Sequence, residues 1–130
     1  MSTWIQTISI SEATGRLKTL YDRIKGSDGH VDNIMVAHGL RSHTMEGHLS
    51  LYKNVLHNSA NTLPKWFMEV LGLYVSLLNG CDYCCDHHYE GLRRLLGDDE
   101  RAIAIREALA QGNLLEEFDG KLLAGLRYAE

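Results

Sequence analysis

The chain reads as an all-α protein, on three observations. Its 130 residues hold a single proline and are rich in helix formers. Apolar residues recur at intervals of three and four, the spacing of one helix face. Capping residues and glycines punctuate those stretches where helices start and stop, and no stretch carries the alternation of a strand.

Ser9 and Glu12 stand at capping-box spacing, and a first helix is expected to follow, with Ile10, Leu17, Leu20 and Ile24 apolar. Gly26 to Gly29 reads as a loop. Ile34, Val36 and Leu40 suggest a short second helix from near Val31. Ser42 is a candidate cap for a third, running to about His57 with Met45, Leu49, Tyr52, Val55 and Leu56 apolar. Asn58 to Thr62 is a loop, and Pro64 sits where a first helical residue belongs. The fourth helix, to about Leu78, is apolar almost all round, so it is expected at the centre. Asn79-Gly80 ends it, and a fifth helix follows to Leu96. Gly97-Asp98 breaks that helix, and Asp98 caps a sixth, ending near Gln111-Gly112. A seventh, from about Glu116, carries Leu122, Leu123, Leu126 and Tyr128. One domain over 1–130 is expected from the length.

Composition excludes several classes. The net charge of −4 comes with no basic block, which argues against nucleic acid or an anionic membrane surface as partner. Met1 to Ile10 lacks the basic start and apolar core of a signal peptide. The longest apolar run, Trp66 to Leu78, contains Glu69 and is too short for a bilayer. An odd number of clustered cysteines does not resemble a secreted disulfide framework. A cytoplasmic protein is the expectation.

The chemistry is concentrated in Cys81-Asp82-Tyr83-Cys84-Cys85-Asp86-His87-His88, which holds all three cysteines and two of the seven histidines. The break at Asn79-Gly80 puts Cys81 at a helix N-terminus, where unpaired N–H groups and the helix dipole favour a thiolate. At about 100° per residue, Cys84, Cys85, His88 and Leu92 share the face of Cys81. Asp82, Asp86, Glu90, Arg93 and Arg94 lie opposite, with His87 on their side. Cys84 and His88 form an i,i+4 pair. The helix start therefore favours Cys81 as the reactive thiol, and the His88 spacing favours Cys84.

Glu69 is the lone acidic residue between Leu63 and Asn79. In one continuous helix it would be about 18 Å from Cys81. If the chain reverses at Asn79-Gly80, Glu69 and His88 come level, and a Glu–His–Cys line forms. The alternative is a carboxylate facing solvent at the helix edge.

Glu69, Cys81, Cys84 and His88, with Asn79-Gly80 before them and Tyr83 between the cysteines, resemble the alkylhydroperoxidase AhpD core of the carboxymuconolactone decarboxylase superfamily, in its peroxidase-related branch. The signature is a glutamate twelve residues before a CxxC and a histidine four residues after the second cysteine. The resemblance covers roughly Val31 to Glu130. It implies an AhpD-like all-helical domain with a central antiparallel helix pair, self-associating as trimers or hexamers. It also implies a thiol-dependent peroxidase or disulfide reductase that takes a hydroperoxide and a dithiol or protein reductant, with no cofactor or metal. Carried over, Cys84 attacks, Cys81 resolves, and His88 and Glu69 move protons. Well-studied members have a histidine where this chain has Tyr83, and members usually continue with further helices, so a fragment of a longer protein is an expectation too.

The competing readings are blander. A structural zinc site wants four ligands in tetrahedral array, which one helix does not easily wrap around an ion. A helical oligomeric module whose thiols sense oxidants would react once rather than turn over. Cys85 reads as a small core residue, His87 as solvated, and His30, His38, His43, His48 and His57 as ordinary groups without HExxH spacing. Trp66, Phe67, Leu71, Tyr74 and Leu78 read as core and subunit contact.

Overall fold

The computed structural model describes residues 4–130, so the first residues of the Met1–Ile10 stretch lie outside the described chain. Among the described residues there are helices and no strands. The α-helices are α1 (Gly15–Ile24), α2 (Asn33–Val36), α3 (Ser42–Leu56), α4 (Lys65–Leu78), α5 (Asp82–Leu96), α6 (Asp99–Gln111) and α7 (Gly120–Ala129). Two 3₁₀ turns, Gly39–Arg41 and Leu114–Glu116, lie before α3 and α7. None of these helices is long and apolar enough to cross a membrane. The chain divides into two compact units, one ending at Val55 and the other Leu56–Glu130.

In the N-terminal unit, Ala13, Leu17, Leu20, Tyr21, Val31, Met35 and Met45 form the core. Tyr21 is fully buried and donates its hydroxyl to the Ile8 carbonyl at 3.0 Å. The Ser9–Glu12 capping box forms: the Glu12 N–H donates to Ser9 Oγ, and the Ser9 N–H to Glu12 Oε2, both at 3.3 Å. It closes a single turn rather than starting α1. Thr14 is extended and Gly15 has φ +53°, so the helix begins afresh at Gly15. The expected second helix is broken into α2 and the 3₁₀ turn that follows. Met35 is buried there, while Ile34 and Leu40 are exposed. Ser42 is already helical, because the 3₁₀ turn runs straight into α3 and leaves no cap position.

The second unit is built on α4. Phe67, Val70 and Leu73 are fully buried, packed with Leu92 of α5, Ile105 and Leu109 of α6, and Leu126 of α7. Helix α4 contacts α5, α6 and α7, which is why it carries apolar residues on nearly every side. Pro64 is its N-cap rather than its first turn, at ψ 141°. Proline's missing N–H costs nothing at either place. The seventh helix starts later than Glu116: the segment up to there is 3₁₀, and α7 begins at Gly120. Leu126 is buried, whereas Tyr128 points away from the core, as does Leu78 at the end of α4.

The reversal between α4 and α5 follows from Gly80. Its φ of +63° is a conformation that glycine adopts without a steric penalty. The Cys81 N–H donates to the Ser76 carbonyl at 3.0 Å and the Gly80 N–H to the Leu77 carbonyl at 3.1 Å. These two bonds are the Schellman pattern and satisfy carbonyls that the end of α4 would leave open. The chain then doubles back, and α5 runs antiparallel along α4. At its far end Gly97 is left-handed, and Asp98 caps α6 by accepting the Arg101 N–H at 3.0 Å. Arg93 holds the same corner with two bonds to the Asp99 carboxylate, at 2.8 and 3.0 Å.

Candidate active site

The site lies along the α4–α5 contact. On α4, Glu69 and Gly72 stand three residues apart and face α5; on α5, His88 and Gly91, at the same interval, face α4. Glu69 is 6% exposed, so the reading of a solvated helix edge is overturned. Its Oε2 accepts a hydrogen bond from His88 Nδ1 at 2.8 Å, with the His88 side chain 17% exposed. Burial of an unpartnered carboxylate is costly, and this pairing supplies the partner. A carboxylate only accepts, so His88 carries its proton on Nδ1 when neutral. Nε2 is then left with a lone pair, as a base needs.

Cys81 is the N-cap of α5. Its Sγ accepts the Cys84 N–H at 3.4 Å, and its carbonyl takes the Cys85 N–H, opening the helix ladder. Cys81 and Cys84 are joined by a disulfide with their Cα atoms 5.3 Å apart, inside the span such bonds require. His88 stands one turn beyond Cys84. Cys85 is a free thiol on the buried side, packed in the core with Phe67 and Leu92. Burial pushes its thiol up, and Asp82 and Asp86 push the same way against Arg106, so it stays protonated and unreactive. The four residues singled out from the sequence thus lie on one α4–α5 hairpin. Glu69 bonds to His88, and Cys81 bonds to Cys84.

His87 departs from its expected solvated place. It is half-buried, its ring stacked on Tyr83 at 6.4 Å and set edge-on to His88 at 5.9 Å. Tyr83 is four residues earlier, a spacing that brings two rings together on a helix. Arg106 of α6 also borders the hairpin, its guanidinium 4.7 Å from the centre of the Tyr89 ring. Nothing in the α5 spacing pointed to it, because the contact depends on how α6 docks.

Two of the histidines read as ordinary are brought together in the N-terminal unit. His38 Nδ1 lies 2.7 Å from Thr44 Oγ1, and His38 Nε2 lies 3.3 Å from His48 Nδ1. The Thr44 hydroxyl donates to the Arg41 carbonyl at 2.8 Å, which uses its one hydrogen. His38 must therefore donate through Nδ1 and accept at Nε2 from His48. Burial, and secondarily His48, hold His38 below the ordinary histidine value of 6.5. Among the described residues no group of three or more His, Cys, Asp or Glu side chains is placed to hold a metal ion.

A family model described as the carboxymuconolactone decarboxylase family matches residues 43–130, more than half of the chain. The chain belongs to that family. The match spans α4, α5, α6 and α7, and with them the whole Glu69–His88 and Cys81–Cys84 arrangement. This family includes decarboxylases and peroxidases. No match is found among curated proteins or among solved structures.

Proposed function

We propose that this member of the carboxymuconolactone decarboxylase family is a thiol-dependent peroxidase of the alkylhydroperoxidase type, reducing hydroperoxides through Cys81 and Cys84. The observation that carries the reading is the buried Glu69–His88 hydrogen bond beside a redox-capable cysteine pair. A carboxylate behind an imidazole orients it and stabilises its cation, and the imidazole so held stands one helical turn from a cysteine. Decarboxylation would make no use of two thiols that bond to each other.

In the proposed cycle the reduced Cys84 thiol gives its proton to His88 Nε2. The Cys84 thiolate attacks the distal oxygen of a hydroperoxide, the O–O bond breaks, and the alkoxide takes the proton back from His88 and leaves as the alcohol. Cys84 is then a sulfenic acid. Cys81, at the helix start that favours a thiolate, attacks the Cys84 sulfur and expels the oxygen as water. The disulfide seen in the structure is the product. A dithiol reductant restores both thiols and is itself oxidised to a disulfide. Self-association into trimers or hexamers belongs to the same proposal, resting on the family likeness.

The test is steady-state consumption of cumene hydroperoxide with dithiothreitol. Many turnovers per chain are expected, with Cys84→Ser inactive and Cys81→Ser, treated with one equivalent of peroxide in the absence of dithiothreitol, left as a sulfenic acid that dimedone traps. Consumption of one equivalent followed by arrest would replace the enzyme with a one-shot oxidant sensor.

A further inference from the structure

We propose that Gly72 and Gly91 are positioning residues for the Glu69–His88 pair, each forming the recess into which the other helix's functional side chain fits. A Cβ on Gly72 would lie 2.5 Å from His88 Nδ1, 2.5 Å from Cε1 and 2.7 Å from Nε2. Those three atoms are the whole N–C–N edge of the imidazole. A Cβ on Gly91 would lie 2.9 Å from both Cδ and Oε2 of Glu69 and 3.2 Å from Oε1. The arrangement is reciprocal. Glu69-x-x-Gly72 on α4 meets His88-x-x-Gly91 on α5, the carboxylate filling the space over Gly91 and the ring filling the space over Gly72.

Both glycines lie inside long helices, where glycine is the least favourable residue after proline. A helix interior gives no conformational reason for glycine, as neither position has a positive φ. The contrast with Gly125 in α7 isolates the cause. There an added Cβ would meet the Phe67 ring at 3.6 Å, an ordinary contact. Gly72 and Gly91 stand out in this unit as the helix-interior glycines whose missing Cβ is occupied by a functional group.

The two recesses also lock each other. His88 cannot retreat from a methyl on residue 72 and keep its 2.8 Å bond unless Glu69 follows, and Glu69 is wedged against Gly91. A methyl at 72 therefore displaces the ring by about 1 Å, a misplacement on the scale that can cost roughly 10²-fold in rate. The overlap at 91 is smaller, so about a tenfold loss is expected there on the same scale. The effect on turnover rests on the peroxidase reading; the effect on the ring does not.

The experiment compares wild type, Gly72→Ala, Gly91→Ala and the control Gly125→Ala, by hydroperoxide turnover, thermal melting and ¹⁵N NMR of the His88 ring. Wild type should show the Nδ1–H tautomer that the Glu69 bond requires. Gly72→Ala should shift His88 toward Nε2–H and lower turnover about 10²-fold, with Gly125→Ala unchanged in both. A helix gains from alanine where there is room, so a lowered Tm in Gly72→Ala and a raised or equal one in Gly125→Ala is the expected pattern. If Gly72→Ala does not fold, Gly72→Ala/His88→Ala should, since the ring that the methyl meets is gone; failure of both overturns the inference. An unshifted tautomer with full turnover in Gly72→Ala also overturns it and leaves the peroxidase reading standing. A shifted tautomer in a protein whose wild type consumes no hydroperoxide keeps the positioning role and removes the peroxidase.

Discussion

Glu69→Gln removes one negative charge and little else. Glutamine matches the carboxylate in size, and its carbonyl can accept the His88 Nδ1–H in place of Oε2. What disappears is the charge 2.8 Å from a ring that, in the proposed cycle, becomes cationic as it takes the thiol proton. Opposite charges about 4 Å apart, centre to centre, are worth about 4 kcal/mol at an effective dielectric of about 20. With the proton half transferred in the transition state, about 2 kcal/mol of that is realised, or roughly thirtyfold in rate. His88→Ala removes the base itself and is expected to cost about 10²–10⁴-fold. The two losses should not add, because Glu69 acts only through His88; the double variant should match His88→Ala. Peroxide turnover with dithiothreitol is the assay, with thermal melts as control. The Tm should hold or rise, since a buried carboxylate carries a desolvation cost. Unchanged turnover in Glu69→Gln would sink the relay, and strictly additive losses would mean that the two residues act apart.

Three further outcomes can be checked. Asp98→Ala removes the side-chain acceptor of the Arg101 N–H and should cost about 0.5–2 kcal/mol by urea denaturation. Cys85 should resist alkylation in the native oxidised protein and account for the one alkylatable thiol after unfolding, while Cys85→Ala leaves the Cys81–Cys84 bond and turnover intact. The His38 value is held below 6.5 in the folded state, so between that lowered value and 6.5 the unfolded chain binds more protons. Its contribution to stability is therefore full above pH 6.5 and is lost as pH falls through the folded value. Melts from pH 8 to 5 should show a shallower decline for His38→Gln than for wild type, and parallel curves would contradict this.

Local signals were legible where one residue type has one structural use. Gly80 needed φ > 0 and ended α4; Asp98 offered an oxygen to a helix start and capped α6; Cys81 stood at the N-terminus of α5 as its cap. They misled where the outcome depended on neighbours. The Ser9–Glu12 box formed its bonds, yet Thr14 and Gly15 stopped the helix from growing through it. Ile34 and Leu40 had helical spacing, but the α-helix stops at Val36 and the chain resumes as a 3₁₀ turn at Gly39, so the two do not share one face, and Met35 is the residue buried instead. In the site, the sequence could bring Glu69 level with His88 but not choose between pairing and solvent, because that depends on how closely α4 and α5 approach. The glycines opposite each side chain decide it, and no single-helix pattern shows them. His38 and His48 met for a similar reason: ten residues and a change of helix type separate them.

Cys81 does two jobs with one sulfur, since the atom that bonds to Cys84 also accepts the Cys84 N–H at the start of α5. A thiolate is a far stronger acceptor for that N–H, and a better match for the helix dipole, than a disulfide sulfur. That one hydrogen bond at the start of α5 is therefore stronger with a Cys81 thiolate than with the disulfide sulfur. By linkage, the same preference makes the disulfide easier to reduce: each 1.4 kcal/mol by which the helix start favours the thiolate raises the two-electron potential by about 30 mV. In the proposed cycle, secondary structure would thus act as a redox component. Changes around Asp82 to Cys85 that never touch a sulfur should tune the oxidising strength of the pair.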